Sequence, residues 1–433
     1  MNVLHKQKTS GLGSRRSPWS TFYVQLLIGL FVGIILPIIL YDAFVREILY
    51  INFFGYISFW LSSSATVIAI VISRKFILFP GMSAVSVVLP SFAFTYGVAL
   101  VLVLALRLDY STVLLAITFL CSVIVHSFLI TIASKSNSAS YFLVPGGHID
   151  RLINQTEFDA VELQVPEVPR GSNVVIVADL HFNHCDAWER KLAEAALCGV
   201  PVYHYKNIME DITGRVRIDH LSENSFGSLL PNMAWVNFKR IFDIMLCLLA
   251  IPIVFIPLVV VAILIKVDTP GPVIFRQARV GYRGKVFDVI KLRTMRVQQA
   301  QAMPVDSRSF AKTEVNDIRI TPIGKFLRRS RLDELPQIVN ILRGEMSWIG
   351  PRPEALPLSE WYSEEIPFYA YRHIVRPGIT GWAQVNQGHV TDLEDISEKL
   401  QYDFYYIKHF SYWIDIYILL RTVGIILTGF GSK

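Results

Sequence analysis

Lys239–Lys266 reads KRIFDIMLCLLAIPIVFIPLVVVAILIK, about two dozen apolar residues with basic residues at both ends and Pro252 and Pro257 inside. The run is long enough to cross a hydrocarbon core as a helix. A proline within a helix removes one backbone hydrogen bond and clashes with the preceding turn, so it kinks or breaks the helix. Two architectures follow. In one, a re-entrant helix over about 241–265 dips into the membrane and returns, which keeps both basic ends on one face. In the other, a kinked fifth span carries everything downstream to the opposite face. The sequence physics leaves both open.

Upstream, four apolar segments lie at about Phe22–Tyr41, Ile48–Ser73, Met82–Leu106 and Ser111–Ala133. Each approaches the length of a transmembrane helix. The tail over residues 1–21 carries Lys6, Lys8, Arg15 and Arg16 and lacks a small-residue cleavage site, which favours a retained helix over a signal peptide. Arg74-Lys75 and Lys135 complete a basic bias that places both ends of this 22–134 region in the cytoplasm. Composition agrees: of 433 residues 52% are hydrophobic and 18% charged, which sets the chain among membrane proteins. The four cysteines form no CxxC pair, so neither a disulfide framework nor a zinc knuckle is expected.

Between Tyr141 and about Pro231 the composition is that of a small α/β domain. Tyr141–Val144, Asn173–Ala178 and Val200–Tyr205 read as strands and Asp186–Leu197 as a helix, an order that suggests a Rossmann-like sheet. No GxGxxG follows, so Gly146-Gly147 is read as a turn and the domain as regulatory or assembly-related. The run His181-Phe-Asn-His184-Cys185-Asp186 imitates a metal site, but its spacing fits no usual zinc pattern and it is read as a polar loop.

Beyond Lys266 the chain is polar and basic, with Lys and Arg outnumbering Asp and Glu about two to one as far as Arg352. Such a patch suits an anionic partner. Nucleic acid is set aside because no recognition module accompanies the charge. Asp333 and Glu334 are the candidate reactive carboxylates. Leu335, Ile338, Val339 and Leu342 share a helical face, and Pro336 belongs to a first turn. Asp333 then falls near an N-cap, where free N–H groups and the helix dipole favour negative charge. With Arg328, Arg329 and Arg331 beside it, such a carboxylate suits attack on phosphorus or capture of a divalent cation. The competing reading is a capped helix start with Glu334 in solvent. Two mounted arginines weigh against that: Arg352 lies between prolines, and Arg376 precedes Pro377-Gly378, a turn in which glycine supplies a positive φ.

These residues resemble the bacterial sugar transferases, the monotopic polyprenyl-phosphate hexose-1-phosphate transferases. The resemblance rests on KRIFD at 239–243, GPVIFRQARVG at 271–281, KLRTM at 291–295, LDELPQ at 332–337, MSWIGPRP at 346–353 and RPGITGWAQVN at 376–386, together with the proline-broken run. It covers 238–433. The upstream spans and α/β domain resemble the large members, which initiate exopolysaccharide, capsule or O-antigen units. The resemblance implies a membrane protein with four N-terminal helices, a Rossmann-like α/β domain and an α/β catalytic domain on the cytoplasmic face of the bacterial inner membrane. It implies a re-entrant helix broken at Pro257. Asp333 would be the nucleophile of a ping-pong reaction on a UDP-sugar, releasing UMP and passing the phosphosugar to undecaprenyl phosphate. Glu334, with Asp333, would hold Mg²⁺. Lys291, Arg293, Arg328, Arg352 and Arg376 would contact phosphate, and Gln384 and Asn386 the nucleotide. By analogy a homodimer is expected. Gln387 departs from the glycine of many members.

The C-terminal run Phe410–Gly429 contains Asp415 and Arg421, charges costly at a bilayer centre, and is read as an interfacial amphipathic helix. Two other classes compete with the transferase. A membrane sensor or scaffold would bind nucleotide-sugar without turnover. A transporter would need polar residues along the four spans, of which the sequence displays few.

Overall fold

A computed structural model describes residues 19, 21–45, 57–77, 87–136, 139–155, 159–169, 173–218, 231, 233–296, 319–388 and 392–428. The basic N-terminal tail, the starts assigned above at Ile48 and Met82, and the end of the α/β domain beyond residue 218 lie outside these residues. The chain divides into two compact units, Met1–Gly214 and Arg215–Lys433.

The first unit begins with helices α1 (Phe22–Leu30), α2 (Leu36–Val45), α3 (Ile57–Phe76), α4 (Val88–Leu106) and α5 (Thr112–Ser136). A π-helical turn, Phe31–Ile35, joins α1 to α2, and the two form one apolar stretch, Phe22–Tyr41. With α3, α4 and Thr112–Ala133 this makes four helices long and apolar enough to cross a membrane. Pro37 explains the π turn. It has no N–H to give the carbonyl four residues back, that of Gly33, so the helix widens locally. The Ser122 hydroxyl donates to that carbonyl at 3.3 Å instead. The bundle interior is more polar than the sequence suggested. Ser62 meets Thr118, Thr66 meets Tyr96, and Ser73 meets His126, each at 3.0 Å. These groups pair across helices, as interhelical hydrogen bonds in apolar surroundings do.

The rest of the unit is a parallel sheet of order β2-β1-β3-β4, built from β1 (Ser140–Leu143), β2 (Ala160–Glu162), β3 (Val174–Ala178) and β4 (Val202–His204). β3 is buried along its whole length, which suits its unbroken apolar run. Helix α6 (Ile149–Gln155) follows β1 and α7 (Asp186–Leu197) follows β3, while α8 (Tyr205–Thr213) starts where the sequence had extended a strand. β2, α6 and α8 are short elements whose periodicity gave no signal.

The second unit opens with α9 (Met233–Asp268), one hydrogen-bonded helix that continues through both prolines. Its middle turns pack Cys247, Ala250 and Val254 against Val289, Ile338 and Ile341. Its last turns pack Leu258, Val261 and Ile265 against Leu292 and Leu327. Ile253, Phe255, Ile256 and Ile263 point outward, uncovered. The KRIFD motif fastens the start. Lys239 pairs with Asp415 at 2.5 Å, and Arg240 donates to the carbonyls of Ile341 and Leu342. An antiparallel hairpin, β5 (Ile274–Val280) and β6 (Val286–Leu292), follows α9.

Then come α10 (Pro322–Ser330), a 3-10 helix (Leu332–Gln337) and α11 (Ile338–Arg343). Strand β7 (Ser347–Ile349) lies parallel to β8 (Gly378–Thr380), with α12 (Leu356–Glu365) and a 3-10 helix (Tyr369–Ile374) between them. Helices α13 (Trp382–Asn386), α14 (Leu393–Lys408) and α15 (Tyr412–Thr428) close the chain. The charges of α15 turn inward. Asp415 meets Lys239 and Tyr406, and Arg421 donates to Asn386 at 2.5 Å.

Candidate active site

Asp333 and Glu334 occupy the first turn of the 3-10 helix, and both are buried. This corrects the helix-start picture in two respects. Arg331, in the left-handed conformation at φ 56°, is the N-cap, and Pro336 precedes α11 rather than sitting in its first turn. Nor does a helix dipole decide the charge of Asp333. Burial, then repulsion from Glu334, pushes its pKa up, and the charges of Lys291, Arg352 and Arg328 oppose this. Among the described residues its carboxylate accepts no hydrogen bond.

Glu334 is held differently. Its Oε1 accepts from Arg352 at 2.6 Å and from Lys291 at 3.2 Å. Burial alone would raise its pKa, but those two cations outweigh burial and hold the carboxylate well below its usual range. Lys291 is in turn lowered to about 8 because burial costs its ammonium more than Glu334 returns. Two adjacent carboxylates thus have opposite electrostatics: one fixed as an anion, one poised.

β6 presents Lys291, and Asn340 sets the strand's position. The fully buried Asn340 accepts from the Ile290 N–H at 3.0 Å and donates to the Asp288 carbonyl at 2.7 Å. β6 and α11, which directly follows the 3-10 helix of Asp333 and Glu334, are therefore tied one residue from Lys291. Arg352 is fixed through its own backbone, because Arg372 donates to its carbonyl at 2.9 Å. Arg372 also pairs with the buried Asp403 at 2.8 Å. Beside it, burial would raise the pKa of Glu354, yet Lys399, Arg372 and Arg279 hold it well below the usual range. Arg279 donates to the Pro353 carbonyl and feels both Arg352 and Glu334.

The sequence-predicted residues divide accordingly. Lys291, Arg352 and the charge of Arg328 converge on the carboxylate pair, and the Arg328 Nε donates to Thr294 at 3.0 Å. Arg293 points elsewhere, donating to the carbonyls of Pro270 and Thr269 at the end of α9. Arg376 stacks its guanidinium over Tyr282 at 4.9 Å and donates to the Gly344 carbonyl. It lines a small cleft with Lys239, Asp243, Tyr282 and Ser347. Gln384 donates to the Ile379 carbonyl in β8, and Asn386 donates to the Trp382 carbonyl and accepts from Arg421. Gln387 adopts an ordinary right-handed conformation, so no glycine is needed there. Pro257 lies inside α9, which runs on through it, so the break expected at this proline is not observed.

Gly378 also differs from expectation. Its φ is not positive; it is glycine because a Cβ would strike the backbone of Gly350 on the facing strand. The GPRP and RPG motifs are therefore neighbours in space. Asn340, Arg372, Glu354 and Arg279 were missed as site residues. Arg279 alone had a signal, its place in GPVIFRQARVG.

The bacterial sugar transferase family profile matches residues 234–429. A UDP-N-acetylgalactosamine-undecaprenyl-phosphate N-acetylgalactosaminephosphotransferase of Aeromonas hydrophila is 41% identical over 365 residues, 84% of this chain and 85% of that protein. A UDP-glucose:undecaprenyl-phosphate glucose-1-phosphate transferase of Escherichia coli K12 is 43% identical over 197 residues, 45% of this chain and 40% of that protein. One of the same name from Caulobacter vibrioides is 41% identical over 205 residues, 47% of this chain and 74% of that protein. A family profile that covers the second unit, together with a relative matched along most of both chains, places this chain in the bacterial sugar transferase family.

Proposed function

We propose that the chain transfers a sugar phosphate from a UDP-sugar to undecaprenyl phosphate through a phosphosugar bound to Asp333. The observation that carries this reading is the divided pair: Glu334 anchored by Lys291 and Arg352, and Asp333 beside it, buried and without a hydrogen bond among the described residues. The Asp333 carboxylate would attack the β-phosphorus, forming an acyl–phosphate bond as the bridging P–O bond breaks and UMP leaves. A phosphate oxygen of the lipid would then attack that phosphorus, giving the lipid diphosphate sugar and restoring the carboxylate. Lys291, Arg352 and Arg328 would neutralise charge developing on the departing oxygen.

A divalent cation fits the same place. Glu334 Oε2 is buried, accepts no hydrogen bond and lies 3.8 Å from the nearest Arg331 nitrogen. With Asp333 it forms a hard-oxygen donor set suited to Mg²⁺. When bound, the ion would neutralise the diphosphate.

The sugar we favour is N-acetylgalactosamine, because similarity to the Aeromonas protein extends into the N-terminal half, whereas the two glucose transferases match only 197 and 205 residues. The pathway class is initiation of exopolysaccharide, capsule or O-antigen repeat units.

We read α9 as re-entrant in the cytoplasmic membrane, with the catalytic unit on the cytoplasmic face. Both halves of α9 pack on the same α/β unit, which favours a helix bent at its prolines and kept on one face over a straight crossing. The Rossmann-like domain would serve assembly or regulation, and the active form would be a homodimer.

The test is Asp333→Asn. UMP release should fall at least about 10³-fold, the scale on which loss of a nucleophile is felt. The ³²P-labelled protein adduct formed from β-labelled UDP-sugar should vanish while nucleotide binding persists. Unchanged turnover would leave a binding scaffold as the better description.

A further inference from the structure

The loops at the carboxyl edge of the parallel sheet gather residues that the local spacing kept apart. In an open sheet of order β2-β1-β3-β4 the chain reverses direction between β1 and β3, and ligands bind outside the carboxyl ends of strands at such a point. Gly146–His148 leaves β1 there, Asp179–His184 leaves β3, and His204 ends β4. One ring nitrogen each from His181 and His204, and a carboxylate oxygen of Asp179, lie within 4.8 Å of one another.

The loop chemistry holds Asp179 in place. Its side chain accepts from the backbone N–H of His148 at 3.0 Å and of His181 at 3.2 Å. The His148 ring leans on Oδ2 at 3.3 Å. Gly147, at φ 66°, lets the loop come this close, since a Cβ there would collide with the Asp179 carboxylate. The backbone is thus shaped around a buried anion.

His181 Nδ1 faces His204 Nε2 at 3.3 Å. Two nitrogens bound tetrahedrally to zinc at about 2.0–2.1 Å stand about 3.3–3.4 Å apart. On its other side, His204 Nδ1 lies 3.4 Å from the Ala178 carbonyl and 3.2 Å from the Leu180 N–H. The tautomer that donates to Ala178 leaves a lone pair on Nε2, and a metal-bound histidine usually makes such a second bond. The tautomer that accepts from Leu180 leaves an ordinary N–H···N bond to His181.

We propose that Asp179, His181 and His204 form a site for a divalent transition metal of the zinc class. Two imidazoles and a carboxylate suit such an ion better than Mg²⁺. Because His181 is exposed, coordination positions remain open to water. The bound ion clasps the loop after β3 to the end of β4, and through Asp179 to the loop after β1. The proposal is independent of the function assigned to the Asp333–Glu334 pair.

The test uses the full-length protein in detergent, stripped with a chelator and titrated calorimetrically with Zn²⁺ in millimolar Mg²⁺. One Zn²⁺ per chain should bind with micromolar or tighter affinity and raise the melting temperature. His181→Ala and His204→Ala should each weaken binding by about 100-fold or more, Asp179→Asn by about 10–100-fold, and Asp333→Asn should leave it unchanged. Absence of Zn²⁺ binding by the unmutated protein would overturn the proposal, whatever the variants do. So would equal binding by the His181→Ala/His204→Ala double variant with native circular dichroism. His204→Gln, closer in size and polarity, replaces any alanine variant that does not fold.

Discussion

At Lys291 two effects oppose each other: burial strips water from the ammonium, and Glu334 at 3.2 Å returns part of the loss. The balance leaves a pKa of about 8, so the charge lies within reach of ordinary buffers. In the proposed reaction the charged form would neutralise phosphate, and it is lost as pH rises. kcat/KM for UMP release should therefore fall on the alkaline side with a midpoint near that value, and Lys291→Arg should move this limb upward by more than about one pH unit. On the acid side, the proposed attack would need Asp333 ionised, and its raised pKa would place that limb above the usual carboxylate range. A pH–rate profile that ignores Lys291→Arg would remove the lysine from the reaction. The acidic pair, Lys291 and Arg352 were legible in the sequence because each sits beside a proline or within a short basic block. Arg293 was not. It is two residues from Lys291, but β6 ends between them and the chain turns toward α9.

At the scale of elements, the site depends on how β6, the 3-10 helix and α11 are held together. Asn340→Ala removes three hydrogen bonds, two of them to β6, where it leaves a buried N–H and a part-buried carbonyl unpaired. The expected cost is about 2–4 kcal/mol, from roughly 1–3 per unsatisfied group. Thermal unfolding would measure it, and Asn340→Asp should lose at least as much, because its second carboxylate oxygen would face the Asp288 carbonyl and the Glu345 carboxylate with no proton to donate. Helices and long strands were visible in the sequence because their apolar periodicity is strong. The contacts that place them were not. Asn340 is fifty residues from its strand partner, and His204 is more than twenty from His181, so no local pattern records either pairing. The same holds for Gly350 and Gly378, whose shared requirement is the nearness of two strands rather than a turn.

For the whole molecule, the arrangement of α9 decides where the chemistry happens. With both halves against one α/β unit, a reporter enzyme fused after Lys433 should read as cytoplasmic, and fusions within the short loop between α4 and α5 as external. A periplasmic signal from the C-terminal fusion would reverse the catalytic face. Composition and four apolar runs made the membrane class evident, yet the bundle's interior polarity was hidden, because single hydroxyls every few turns scarcely lower the mean hydropathy. The π turn at Phe31–Ile35 carries one more consequence, for the phase of the first span. A π turn holds one residue more than the α-helical repeat needs. Deleting one residue elsewhere in Phe22–Tyr41 rotates everything beyond it by about 100° and swaps lipid-facing for bundle-facing side chains. Deleting Ile35 restores the α repeat and leaves both flanks in phase. Membrane-inserted yield and melting temperature should therefore survive loss of Ile35 far better than loss of Leu27, making this turn the one place where the span tolerates a change of length.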